Sequence, residues 1–176
     1  MKKCILWSML FLAIGSFAQD SASKQPATLK SSLLMELRET HDQKNWFVSS
    51  KEAVAELTPE QAAWSDGKNH SVGQLVAHLV YWNSFNLARY KGEHPKALAD
   101  NNDTFKFDPK QWDSSKKELD TVMGEWEKIV ENADDATLAK VAPLVAHIAE
   151  HNAYHIGEII AVRKEHGMWN PDLGVK

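Results

Sequence analysis

Two histidines, His151 and His155, stand four residues apart near the C-terminal end of the chain, inside the segment from His147 to Glu158. On a helix that spacing puts both on one face, with Cβ atoms about 5–6 Å apart. Two imidazoles so placed can converge on one divalent ion, with bonds of about 2.0–2.1 Å for zinc. The pair alone is a weak motif in a chain with eight histidines. Its setting carries more. Leu144, Ile148, His151, His155, Ile159 and Val162 recur at steps of three and four, which places both histidines on an apolar stripe. A second stripe, Leu75, His78, Trp82 and Phe85, does the same for His78. Three separately hydrogen-bonded core histidines are the plain alternative. A buried polar group without a partner costs about 1–3 kcal/mol, and one shared ion would satisfy three such groups at once. We therefore expect a metal site made by His78, His151 and His155. Three neutral imidazoles leave a coordination position open, as catalytic sites do. The donor set suits Zn²⁺ or Ni²⁺, with Fe, Co or Mn compatible. Ordinary imidazoles titrate near 6.5, so binding is expected to weaken below about pH 6.

Other residues near these three are weighed as pocket or supporting groups. Trp82 and Tyr154 are neighbours in sequence that either shape a pocket or simply pack. His147 lies one turn before His151 but about 40° off the stripe, and His41 follows Leu37 by four on an earlier helix. Each of these two histidines is either part of the site or exposed. Glu158, like Glu150, is a candidate by proximity alone, and no general acid or base stands out. His147, Glu150 and His151 also spell H-x-x-E-H, the inverted zinc-peptidase pattern. Only 25 residues follow His151, too few for the rest of that machinery, and the reading is set aside.

The elements that would position these groups read as helices. Residues 29–56 carry a loose stripe of Leu33, Leu34, Leu37, Phe47, Val48 and Val54. Thr58, Pro59 and Gln61 form a capped turn. Ser71 with Gln74 opens a second long helix that ends near Lys91, before Gly92. Residues 92–107 are polar and aperiodic. Asp108 and Pro109 open a third helix to about Glu131, with Trp112, Leu119, Val122, Met123, Trp126, Ile129 and Val130 as its stripe. Residues 133–140 read as a connector, and a fourth helix is expected from Pro143 to His166. No segment alternates as a strand. The expected fold is all-α, a four-helix bundle. The 16-residue crossover between the second and third long helices lets those two run parallel.

Residues 1–18 are laid out as a secretory signal peptide: Lys2 and Lys3, an apolar run from Cys4, and small residues Ser16 and Ala18 before polar sequence. Residues 19–28 read as a flexible lead-in and 29–176 as one domain. An exported protein, periplasmic or secreted, is expected, with no stable membrane anchor once the signal is removed. The charge of the whole chain is −4, and without residues 1–18 it is −6, from 18 basic and 24 acidic side chains. That balance argues against nucleic acid as a partner. Cys4 is the sole cysteine, so residues 19–176 contain no thiol nucleophile and no thiolate ligand. The partner expected is a small-molecule substrate or ligand, and a homodimer is left open.

Several segments together resemble one family. Residues 57–64, 71–82 and 151–159, followed by Gly167, Met168 and Trp169, are similar in order and spacing to the DinB/YfiT-like superfamily of four-helix metalloproteins. The first holds the capped turn, the second His78, and the third H-x-x-x-H-x-G-E-I, with Glu158 where glutamine is common. The resemblance implies that His78, His151 and His155 are the metal ligands. It also implies an up-down-down-up bundle. Members include metal-dependent transferases that use low-molecular-weight thiols, and related isomerases. It therefore suggests a metal-dependent enzyme of transferase or hydrolase type, with a non-catalytic periplasmic metal- or small-ligand-binding bundle as the alternative. An exported location departs from the better-known cytoplasmic members and sits poorly with a thiol cofactor.

Overall fold

The computed structural model describes residues 26–174, and the expected signal peptide and most of the lead-in lie outside the described residues. Within them the chain is all helical, with no strand. Six α-helices follow in order: α1 (Leu29–His41), α2 (Ser50–Ala53), α3 (Pro59–Ala63), α4 (Val72–Tyr90), α5 (Trp112–Asn132) and α6 (Asp135–Glu165). Short 3₁₀ turns occupy Asn101–Phe105, Pro109–Gln111 and Pro171–Leu173. No described helix is long and apolar enough to cross a membrane.

Helix starts follow from local side-chain chemistry. Ser71 Oγ accepts from Gln74 N at 3.2 Å while Gln74 Oε1 accepts from Ser71 N at 2.8 Å. Thr58 and Gln61 make the same reciprocal pair before α3. Each pair satisfies two donors that a helix start leaves orphaned. Gly92 and Gly167 take φ of +84° and +63° just past α4 and α6, a conformation glycine adopts without steric cost.

Two helix boundaries differ from the expectation. The first helix does not run through residues 29–56: α1 stops at His41 and α2 restarts at Ser50. Asp42 to Asn45 are polar and offer nothing to the core, and Ser49 caps the restart by accepting from Glu52 N. The last helix begins at Asp135, eight residues before Pro143. Asp134 caps it at 2.8 Å from Thr137 N, and Leu138, Val141 and Val145 continue its buried face. An internal proline costs a helix about 3 kcal/mol, and burial of residues on both sides of Pro143 offsets that cost.

The core forms where α1 and α4 each pack against both α5 and α6. Trp112 and Trp126 are its largest members, and each still satisfies its indole N–H. Trp112 donates to Leu57 O at 2.8 Å and Trp126 to Asn83 O at 3.3 Å. Arg163 is 2% exposed. Its guanidinium donates to Ala53 O at 2.7 Å and Met168 O at 2.9 Å, fastening the end of α6 to α2 and to the tail.

Cross-element contacts fix relative placement. On α4 and α6, Asn83 donates to Asn152 Oδ1 at 2.8 Å, while His78 meets His151 at 3.3 Å. Lys91 pairs with Glu125 at 3.4 Å, and Phe107, just before α5, lies on Gly73 near the start of α4. Lys30 donates to Glu131 O at 3.0 Å and His41 bonds Asp120 at 3.1 Å, from opposite ends of α1.

A Cβ on Gly73 would fall 2.2 Å from the Phe107 ring. Alanine in place of helical glycine normally stabilises by about 1 kcal/mol. Here Gly73→Ala must displace the ring, and we expect a lowered melting temperature and a loss of about 1–3 kcal/mol in denaturant titration. A stabilised variant would show that the ring moves freely.

Candidate metal centre

The geometry brings His78, His151 and His155 together. His151 Nε2 lies 3.3 Å from His78 Nε2 and 3.1 Å from His155 Nε2. The three ligand atoms fall within 4.8 Å of one another. Two nitrogens bound to one tetrahedral zinc ion at about 2.0–2.1 Å would be separated by about 3.3–3.4 Å. The spacing therefore fits a shared ion, and the three side chains can hold one.

The site sits on the flank of the α4–α6 seam. On α4 the buried face carries Val72, Leu75, Val76, His78, Leu79, Asn83 and Leu87, with Trp82 and Phe85 only partly covered. On α6 it runs through Val145, Ile148, Asn152, Ile156 and Ile159. His78 and His155 are 4% and 7% exposed, while His151 is intermediate. The expected stripes thus overlap the buried faces but are offset toward one edge, where Trp82, Phe85 and His151 are only partly covered. That offset lets a site lined by core residues keep a side open to ligand.

Supporting partners surround the triad. Glu158 Oε2 lies 2.6 Å from His155 Nδ1. A carboxylate only accepts, so Nδ1 carries the hydrogen and Nε2 turns its lone pair to the centre. Thr104 Oγ1 lies 2.5 Å from His78 Nδ1, and the Phe105 ring stacks on His78 with centroids 4.0 Å apart. Neither residue was expected in the site. They come from the crossover, where no periodicity or motif marks them.

Trp82 faces His78 edge-on at 6.4 Å. With Asn83, Asn86, His147, Ile148 and His151 it lines a cavity of 260 Å³ beside the triad. His147 borders that cavity, but its side chain is 79% exposed and lies 3.8 Å from Glu150. Tyr154 sets its ring edge-on to His155 at 4.9 Å and is otherwise exposed. His41 is not brought to the triad. It is buried on the face of α1 that meets α5, where Glu127 takes Nδ1 at 2.6 Å and Asp120 takes Nε2 at 3.1 Å. His41, Asp42 and Glu127 are close enough to be considered for an ion. The 2.6 Å contact is, however, a hydrogen-bond distance, shorter than two ligands of one ion would keep.

Burial, with the neighbouring His155, His151 and His70, holds His78 down to about 3. Burial, with His155 and His147, holds His151 down to about 4. Both rings therefore keep free lone pairs well below the pH at which an ordinary imidazole is protonated. Proton competition at these two ligands begins lower than the pH 6 expected from unperturbed values.

A helical protein with three imidazoles converging at one point is the class that fold and site define. A family model for the DinB superfamily matches residues 49–159, well over half of the chain and all three histidines. The chain belongs to the DinB superfamily. No curated protein and no solved structure matches it.

The depressed values set a stability profile. Below pH 6.5 the unfolded chain takes up protons that folded His78 refuses, so stability is whole above that pH and is lost as pH falls toward 3. At pH 5 the loss from His78 alone is about 2 kcal/mol. Chelator-treated protein should melt clearly lower at pH 5 than at pH 7.5, with the difference reduced in His78→Ala. An unchanged melting temperature would contradict a neutral, buried His78.

Proposed function

We propose that this chain is an exported metal-dependent enzyme, of transferase or hydrolase type, with Zn²⁺ or Ni²⁺ held by His78, His151 and His155. The observation that carries this reading is the convergence of three Nε2 atoms, spaced 3.1 and 3.3 Å about His151, beside a cavity. The imidazole donors suit either ion. A divalent ion bound there would polarise a substrate oxygen or lower the pKa of a bound water or thiol.

The chain's own residues supply the rest. Glu158 holds His155 in the ligating tautomer. Trp82 and Ile148 offer an apolar wall against which a small substrate can lie and exclude water. His151, the most accessible of the three, forms the edge shared by ligand set and cavity. That adjoining cavity favours an enzyme over a simple metal carrier. The layout of residues 1–18 supports export to the periplasm or beyond.

The same reading takes the four long helices as an up-down-down-up bundle. The pairing of residues 78 and 83 with 155 and 152 supports antiparallel α4 and α6. Phe107 on Gly73 and Glu125 by Lys91 support parallel α4 and α5. Lys30 with Glu131 and His41 with Asp120 support antiparallel α1 and α5. The crossover from residue 91 to residue 112 is the length such a parallel return needs.

Elemental analysis of untagged protein should find about one divalent ion per chain, as one triad can hold. His151→Ala should lose most of it while far-ultraviolet circular dichroism stays unchanged. Metal-loaded protein should turn over a member of an ester, amide or thiol-transfer panel that stripped protein does not. Metal-free wild type would end the reading. Tight metal with no turnover would favour the non-catalytic binder.

A further inference from the structure

The crossover between α4 and α5 does more than connect them. Its 3₁₀ turn, Asn101–Phe105, is opened by Asp100, whose carboxylate accepts from Asn102 N at 2.9 Å. Trp82 Nε1 reaches Asn101 Oδ1 at 3.3 Å and ties the turn to α4. Phe105 lies flat on the His78 ring, 11° from parallel, and His70 stacks on the other face of Phe105 at 3.8 Å. Thr104 is 4% exposed, and its hydroxyl touches two groups. It donates to Asn101 O at 2.6 Å and lies 2.5 Å from His78 Nδ1.

A hydroxyl has one hydrogen. Thr104 gives that hydrogen to the Asn101 carbonyl, so at the other contact it must accept. His78 Nδ1 is therefore the donor and carries the ring hydrogen. The lone pair is left on Nε2, the nitrogen 3.3 Å from His151 Nε2. Were the hydrogen on Nε2 instead, His78 would point a donor at the centre and bind nothing there.

We propose that Thr104 is the positioning residue that fixes the ligating tautomer and orientation of His78, making the crossover turn a working part of the metal centre. The inference rests on the reading of the triad as a metal site. Thr104 serves His78 as Glu158 serves His155, and a neutral hydroxyl at this position adds no charge beside the most deeply buried ligand. Removal of such an outer partner typically weakens metal binding by about 10–100-fold.

Three full-length proteins test this: wild type, Thr104→Val and Thr104→Ser. Zinc affinity is measured by competition with a chelating dye, and ring tautomers are read from ¹⁵N chemical shifts of metal-free protein. Thr104→Val should lose about 10–100-fold in zinc affinity and shift His78 away from the Nδ1–H form. Thr104→Ser should restore both, with melting temperatures used to confirm that all three fold. Wild-type affinity and tautomer in Thr104→Val would overturn the proposal. So would Thr104→Ser being as weak as Thr104→Val, or a wild-type His78 in the Nε2–H form. If wild type binds no zinc, the metal reading falls. The ¹⁵N comparison then still decides whether Thr104 sets the ring.

Discussion

The rest of the structure depends on an unfavourable contact. On α6 the Nε2 atoms of His151 and His155 lie 3.1 Å apart, and His78 on α4 brings a third to 3.3 Å from His151, in a largely covered site. His155 presents a lone pair there because Glu158 occupies its other nitrogen. Lone pairs turned on one point repel, and the covered rings of His78 and His155 have given up most of their contact with solvent. A ring hydrogen on one of them, or a shared cation, relieves that repulsion. Burial resists the proton: it pulls His78 and His151 far below the ordinary imidazole range. The geometry that penalises protonation also leaves donor atoms that can hold a metal ion, and both follow from placing the histidines at the rim of the core.

Rim placement also accounts for the supporting groups. A ligand at the centre of the α4–α6 seam would be covered by Leu79 and Ile159 and would be closed to substrate. A ligand on the outer face would be hydrated and mobile. His78 stands between these cases and is covered from outside by Phe105, from a segment with no helix of its own beyond a 3₁₀ turn. The remaining edge, at His151, meets the cavity lined by Trp82 and Ile148. Shelter on one side and access on the other come from the same offset.

What was legible in the sequence was local. Ser71 with Gln74, Thr58 with Gln61 and Gly92 are short-range signals, and each marks a real boundary. The spacing of His151 and His155, and the family pattern that includes His78, point to the three residues that meet. What was not legible depends on tertiary context. Steps of three and four describe the flank of a stripe as well as its centre, so periodicity could not tell that Asn83 and Asn152, not His78 and His151, lie deepest. Pro143 reads as a start, yet Asp134 supplies an earlier cap and Leu138 and Val141 a reason to extend. Thr104 and Phe105 lie in a polar, aperiodic run, and only the path of the crossover brings them to His78. His41 follows Leu37 on the correct face, but that face meets α5 and its carboxylates.

The two asparagines explain how the register is held. Asn83 and Asn152 are 2% and 1% exposed, and each amide donates to the other's oxygen, at 2.8 and 3.4 Å. Asn83 also accepts from Trp126 through its carbonyl at 3.3 Å, which couples α5 to the same point. A pair of buried amides adds little net stability, because it exchanges water for an equivalent partner. Its effect is on alternatives. Sliding α6 along α4 by one turn would leave the Asn152 amide buried without a partner and Asn83 with only its bond to Leu79 O at 2.9 Å, at about 1–3 kcal/mol for each group left unsatisfied, while an all-aliphatic seam would tolerate the slip. Asn152 is adjacent to His151, and Asn83 lies just over one turn beyond His78. The shift that separates the amides would therefore also separate the imidazoles. Polar pairing in the core and ligand convergence at its rim are two consequences of one helix register.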